Sequence, residues 1–103
     1  MKYLAIEQDT GADGQAFTPE LLRSEAFRAH ELYLEGSIRE LYFDENHYAV
    51  LVLECESREK AGAVLASLPL VSNGLIRFAI RELHPYTGFG RIIVDPGFGS
   101  VSC

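Results

Sequence analysis

The chain has few basic residues, and this shortage excludes one large class of partner. Lysine and arginine together number nine, against fifteen aspartates and glutamates, which gives a net charge of -6 at pH 7. A protein that binds nucleic acid needs a surplus of cationic side chains to displace counterions from the phosphates. We therefore expect no nucleic-acid partner, and we expect the five tyrosines and six phenylalanines to lie in a core or a pocket.

Long apolar runs and a cysteine framework are also missing. No segment approaches the ~18 consecutive apolar residues of a membrane-spanning helix. The beginning, MKYLAIEQD, turns acidic where a secretion signal would remain apolar. The two cysteines, Cys55 and Cys103, have no spacing typical of a disulfide framework or a metal motif. The sequence therefore predicts a cytoplasmic protein with no membrane partner.

The remaining composition is that of one small globular domain. The 103 residues are 48% hydrophobic and 23% charged, and this length is typical of a single domain. Alternation and capping patterns follow one another in the order strand, helix, strand, strand, helix, strand. We place these elements at residues 2–8, 19–35, 38–43, 47–55, 58–68 and 75–83, and a glycine-rich tail at 87–103 follows them.

This order, βαββαβ, predicts a ferredoxin-like α+β fold with a four-stranded antiparallel sheet and two helices on one face. The apolar run AVLVL at 49–53 fits a central third strand, and the charged strands at 38–43 and 75–83 fit the two edges. Apolar residues on both faces of the third strand predict that a second copy covers the open face, giving a homodimer. We expect residues 1–86 to form the core and the tail to be a candidate interface strand.

The predicted hairpin contains an arginine that needs an explanation. With a turn at 44–46, Arg39 would oppose Leu51 and share an apolar face with Leu41. A guanidinium on such a face needs an anionic partner, which is either a substrate carboxylate or an acid of the protein such as Glu25. Otherwise it reaches water from the edge strand. His47 is expected to be a solvated residue beside the turn.

Short motifs spread over residues 21–85 carry a family resemblance. They are Glu25, Glu31-Leu32, Gly36-x-x-Arg39-x-Leu41-Tyr42, Tyr48-Ala49, ESRE at 56–59, LASLPL at 65–70 and ELHP at 82–85. Together with the element order, they resemble the muconolactone isomerase-like branch of the dimeric α+β barrel proteins. The resemblance implies association through the sheets into a homodimer or a higher homo-oligomer. It also implies a proton transfer, without cofactor or metal, within an unsaturated lactone that bears a carboxylate. The chain departs from the family pattern at 9–17, at 70–72 and in the tail, so the family's substrate is not carried over.

The resemblance and the residue pattern together give a set of candidate site residues. Arg39 would bind a substrate carboxylate, and His30 or Glu25 would exchange the proton. The candidate wall and rim residues of the pocket are Tyr3, Tyr48 and His84. The expected activity is thus a cofactor-free isomerisation of a small carboxylate-bearing, lactone or ring-type metabolite by a homodimer.

Two alternatives remain open at the level of the sequence. In the first, Arg39, Glu25 and His30 form a structural ion-pair set in a non-catalytic oligomeric module that binds a ligand or only assembles. In the second, the same barrel supports a monooxygenase with or without haem, and His30 is a candidate haem ligand. No metal site is expected, because the histidines and acids lack the spacing of zinc and calcium motifs.

Overall fold

In the computed structural model, residues 1–93 are described. They form a four-stranded antiparallel sheet with the strand order β2-β3-β1-β4 and a layer of helices on one face. The predicted ferredoxin-like α+β fold is confirmed. The elements are β1 (Lys2–Asp9), α1 (Pro19–Glu35), β2 (Ile38–Phe43), β3 (Ala49–Glu54), α2 (Arg58–Ala66), α3 (Pro69–Ser72) and β4 (Ile76–Leu83).

Helix α1 has the termini that its sequence predicts. The Thr18 hydroxyl accepts a hydrogen bond from the Leu21 amide at 3.2 Å, and Pro19 occupies the first turn, where a missing N–H costs nothing. At the other end, Gly36 has φ of +91° and ends the helix in the left-handed conformation. The chain can therefore reverse direction and enter β2 directly.

The apolar spacing of α1 predicts a buried stripe of Leu22, Ala26, Ala29 and Tyr33, and this stripe is rotated in the structure. Leu32 is the buried residue of the helix, and Ala29 packs against the core. Leu22 and Tyr33 are 46% and 51% exposed. Leu22 is exposed because the first half of α1 borders an open cavity instead of the packed core.

The second half of the helical layer contains a short helix that the sequence did not predict. Ser57 caps α2 by accepting from the Lys60 amide, as expected. Pro69, however, begins α3 and does not merely end α2, since proline is favoured in the first turn of a helix. The predicted turn before β4 is present, with Gly74 at φ of +73°.

The β2–β3 hairpin has a register that differs from the prediction at Arg39. Phe43 pairs with Ala49 and Leu41 pairs with Leu51, so that residues 44–48 form the connection. A β-bulge then follows, and the core-facing partner of Leu53 is Ile38 and not Arg39. The expectation that Arg39 opposes Leu51 on the apolar face is therefore wrong, because the longer connection pairs Leu51 with Leu41 and the bulge leaves Arg39 without a partner on β3.

The two faces of the sheet have different surroundings. On the helical face, Tyr3, Ala5, Leu51 and Leu53 are almost completely buried and form the core with the helices. The opposite face is not covered by any element among residues 1–93, and its central side chains are only half-buried. These are Leu4, Ile6, Val50, Val52 and Ala79. Within the same residues, none of the helices has the length and hydropathy needed to cross a membrane.

The first part of the tail adopts a helical turn and not a strand. Gly88–Ile92 forms a 3-10 helix, in which Phe89 packs edge-to-face on Tyr86 with the ring centroids 5.0 Å apart. The sequence RIIV at 91–94 has the character of a short strand, but Arg91 and Ile92 belong to the 3-10 helix, and Val94 lies outside the described residues. The rest of the predicted interface strand, with Cys103, lies outside the described residues.

The helix end at Gly36 gives a test of the fold. Gly36→Ala is expected to lower the free energy of unfolding by about 1 kcal/mol, because a Cβ atom is unfavourable at positive φ. Gly62→Ala is the matched control, since Gly62 lies in α2 with open space around it, and alanine there should raise stability by about 0.5–1 kcal/mol. Urea denaturation at one protein concentration measures both changes. Shifts of the same sign in the two variants would contradict this assignment.

Candidate functional site

A cavity of about 410 Å³ lies between the first half of α1, the start of α3 and the helical face of the sheet. Its volume is within the range of small-ligand sites, roughly 300–1,000 Å³. Most of its wall is apolar, and among the described residues its charged members are Glu7 and Glu25. The larger apolar side chains of the wall are Leu22, Leu41, Phe43, Leu68, Leu70 and Phe78.

Glu25 is held in place by a backbone amide of another helix. Its Oε1 accepts a hydrogen bond from the Leu70 N–H at 2.9 Å. That amide belongs to the first turn of α3, where the cap residue, Leu68, has no side-chain acceptor to offer. The carboxylate of Glu25 takes this role from α1, and the hydrogen bond fixes the carboxyl group in the cavity wall.

Glu7 is held in a similar way at the end of the β1–β3 pairing. Residues Tyr3, Ala5 and Glu7 alternate toward the helical face of β1. The pairing of β1 with β3 ends at Ile6. Just beyond this end, the amide of Ala49 donates a hydrogen bond to Oε1 of Glu7 at 2.9 Å. The side chain thus continues the hydrogen bonding where the strand ladder stops.

The two carboxylates share one environment, and this changes the proton affinity of Glu25. Burial raises the pKa of Glu25 above its ordinary value, the Leu70 N–H lowers it by a smaller amount, and the negative charge of Glu7 raises it further. Among the described residues, no hydrogen bond reaches Oε2 of either side chain. Each carboxyl therefore has one oxygen bound to the backbone and one oxygen available to a ligand.

The other predicted site residues on α1 and β2 lie outside this cavity. Arg39 is exposed in the β-bulge, where its Nε donates to the Gly36 carbonyl at 2.9 Å. His30 is exposed on α1, five residues after Glu25, and residues at that spacing do not share a helix face. Neither side chain is part of the cavity wall. Of the predicted trio, the structure places Glu25 alone in the cavity.

The predicted wall and rim residues also lie elsewhere. Tyr3 is 1% exposed in the core, its hydroxyl lies 3.1 Å from the Met1 sulfur, and burial raises its pKa. Tyr48 is half-buried just before β3 and does not line the cavity. His84 is exposed, with its Nε2 3.4 Å from a carboxylate oxygen of Glu82, beside a separate hollow at the end of β4. His47 lies in the turn, as expected, and stacks on Phe43 with ring centroids 4.0 Å apart.

A second and wider cavity, of about 570 Å³, lies between α1 and α2. Its wall carries charges of both signs, including Arg28, Glu35 and Lys60, and it opens broadly to solvent. Within residues 1–93, no group of three or more histidine, cysteine, aspartate or glutamate side chains is arranged so that it could hold a metal ion. The apolar cavity with two fixed carboxylates is the better candidate, because small-molecule sites combine apolar walls with a few convergent polar groups.

Glu7 is the site residue that the sequence analysis missed. The sequence does contain a signal for it, since Glu7 follows Tyr3 and Ala5 at the inward-facing positions of a strand predicted to be central. An acid at such a position needs a hydrogen-bond donor or a functional reason. Its partner, the Ala49 amide, is 42 residues away in the chain, and the strand pattern does not show where the pairing ends.

Comparison with known proteins agrees with the fold. No known protein family matches the chain, and neither does any curated protein. Eight chains among the solved structures match. One is the 5-chloro-2-hydroxyhydroquinone dehydrochlorinase TftG from Burkholderia phenoliruptrix AC1100, in complex with 2,5-dihydroxybenzoquinone, with a TM-score of 0.58 and 16% identity over 84% of this chain and 96% of that chain. At this identity the likeness establishes the ferredoxin-like α+β fold.

Proposed function

We propose that the chain is a small-molecule enzyme that moves a proton on a ring-type metabolite in the 410 Å³ cavity, with Glu25 as the acid–base residue. The observation that carries the proposal is the position of Glu25 in a mostly apolar wall, where its pKa is raised. A carboxyl whose pKa moves toward the working pH is an effective proton donor and acceptor. Its free Oε2 is the atom that would exchange the proton.

The same site needs only groups that the chain itself provides. A proton transfer within one molecule requires an oriented substrate and a base of suitable pKa. The hydrogen bond from the Leu70 amide fixes the carboxyl of Glu25, and the apolar wall restricts access of water to it. TftG, which shares the fold, is by its name a dehydrochlorinase of a substituted hydroquinone, and this supports a small ring compound as the substrate.

The narrower prediction, a muconolactone isomerase-like reaction, depends on an anchor for the substrate carboxylate. Arg39, the predicted anchor, forms a hydrogen bond with the Gly36 carbonyl outside the cavity. We therefore keep proton transfer on a ring in the proposal and leave the lactone carboxylate out of it. The haem-dependent form of the monooxygenase alternative used His30 as the candidate ligand, and His30 is exposed and does not line the cavity. The non-catalytic alternative relied on an ion-pair set of Arg39, Glu25 and His30, and no such set is present in the described residues.

We also propose that two copies associate through the open face of the sheet. Its centre is apolar, with Leu4, Val50 and Val52 half-buried. Its edges carry opposite charges, because the open face presents Arg77 and Arg81 on β4 and Glu40 on β2. A two-fold axis that sets β4 over the β2 of the partner would pair these charges and bury the apolar centre.

Association can be tested by placing a charge at the centre of that face. Val52→Lys is expected to convert a dimer into a monomer, because the new ammonium would be buried against the partner. The monomer should still fold, since the ammonium lies beside the carboxylate of Glu40, which is opposite residue 52 on β2. Leu34→Lys is the matched control, since Leu34 is 70% exposed on α1 and lies on the helical side. Light scattering after size exclusion measures the mass. A wild-type monomer at micromolar concentration, or a dimer retained in Val52→Lys, would contradict the proposal.

The catalytic proposal is tested by exchange of substrate protons with solvent. A panel of cyclic enones, lactones and dihydroxybenzenes is incubated with the protein in deuterated buffer, and proton NMR follows the loss of C–H signals. We expect exchange in at least one compound with the wild type and a rate lower by roughly 10²–10⁴-fold in Glu25→Gln. The amide of glutamine can still accept from the Leu70 N–H, so the fold is expected to be retained.

The control for this experiment is Glu31→Gln, which removes one charge from an exposed position of the same helix. Its exchange rate should equal that of the wild type. Exchange that persists in Glu25→Gln would exclude Glu25 as the acid–base residue. No exchange in any compound at stoichiometric protein would contradict the proposed reaction.

A further inference from the structure

We infer that the cavity binds an uncharged ring that bears two hydroxyl donors, that it rejects carboxylate anions, and that Glu7 determines this selectivity. The inference names the substrate class of the proposed enzyme and so rests on the proposed function. It goes beyond the sequence analysis, in which a substrate carboxylate was expected and Glu7 was not considered.

The hydrogen bonding of the two acids gives the first argument. Glu7 and Glu25 each bind a backbone amide at 2.9 Å through Oε1, from Ala49 and Leu70 respectively. These bonds come from opposite sides of the cavity, one from the sheet and one from α3, and they fix both carboxyls. Each side chain then presents its second oxygen as an acceptor. Two fixed acceptors in one cavity are complementary to a ligand with two donors.

The charge of the wall gives the second argument. Among residues 1–93, no lysine, arginine or histidine contributes to the wall of this cavity. A carboxylate ligand would meet two acids without a cation to neutralise it, and like charges that face each other oppose binding. The wall therefore selects against the class of substrate that Arg39 was expected to bind.

The remainder of the wall gives the third argument. Phe43 and Phe78 lie among aliphatic side chains such as Leu22 and Leu41, which suits the faces of a ring. An organic ammonium has donors but no acceptor, so it suits Glu25 only when that carboxyl is ionised. Burial and the charge of Glu7 raise the pKa of Glu25 and so favour its protonated form. A hydroxyl can instead donate to an ionised carboxylate or accept from a protonated carboxyl, so it fits both states of Glu25.

The test is a competition of matched ligands, read at the two amides that hold the acids. Resorcinol, 1,3-dimethoxybenzene, benzoate and benzylammonium are titrated into the full-length protein at pH 7. Nitrogen–proton NMR spectra report the amide shifts of Ala49 and Leu70. We expect resorcinol to shift both amides and to bind at least about tenfold more tightly than benzoate, because the anion is repelled. Dimethoxybenzene, which has no donors, should also bind more weakly than resorcinol.

The variant Glu7→Gln identifies the origin of the selectivity. It keeps an acceptor for the Ala49 amide but removes one charge, so benzoate should gain affinity and resorcinol should lose it. Glu31→Gln, on the exposed side of α1, should change neither. The fold of each variant is checked in the same spectra, from the unchanged positions of amides distant from the cavity.

Four results would overturn the inference. They are benzoate binding as tightly as resorcinol, benzylammonium binding more tightly than resorcinol, dimethoxybenzene equalling resorcinol, and no ligand shifting the two amides. The proposed function fails separately, through proton exchange that survives Glu25→Gln. A preference for benzoate together with a loss of exchange in Glu25→Gln would refute the substrate class and leave the acid–base role of Glu25 in place.

Discussion

The hydrogen bond from the Leu70 amide to Glu25 is the interaction on which the candidate site depends. It joins the middle of α1 to the first turn of α3, and it does so with a carboxylate in a mostly apolar wall. A short helix whose own cap residue offers no acceptor needs such a partner for its first amides. The bond also brings Glu25 into the same cavity as Glu7, so one contact serves both the packing of the helical layer and the electrostatics of the site.

This arrangement has an energetic consequence for the whole fold. Burial and the charge of Glu7 raise the pKa of Glu25 in the folded state, so the folded protein holds this proton more tightly than the unfolded chain does. The stability that comes from this proton is fully present below pH 4.5, the ordinary pKa, and is lost as the pH rises through the higher folded-state pKa. Above that folded-state pKa the ionised carboxyl costs stability. Such a cost is typical of residues that are kept for chemistry.

The sequence predicted the parts of the structure that depend on local signals. The cap at Thr18 with Pro19, the left-handed glycine at position 36 and the strand patterns gave the element order, and the order gave the fold. It failed where two distant segments decide the outcome. The bulge that turns Arg39 away depends on how β2 pairs with β3, and the role of Glu7 depends on where β1 stops pairing with β3. Periodicity within one segment contains neither fact, and so Glu7 was missed. Glu25 was singled out by the family resemblance, and its contact with the distant Leu70 amide was not predicted.

The central claim is that Glu25 and Glu7 lie in one mostly apolar cavity and that the negative charge of Glu7 acts on Glu25. The most direct measurement is a titration of the carbon-13 signal of the Glu25 carboxyl, in the wild type and in Glu7→Gln. The account predicts a pKa for Glu25 above its ordinary value of 4.5 in the wild type, and a lower pKa when the charge of Glu7 is removed. A pKa of Glu25 at or below 4.5 in the wild type, or one that Glu7→Gln leaves unchanged, would contradict it.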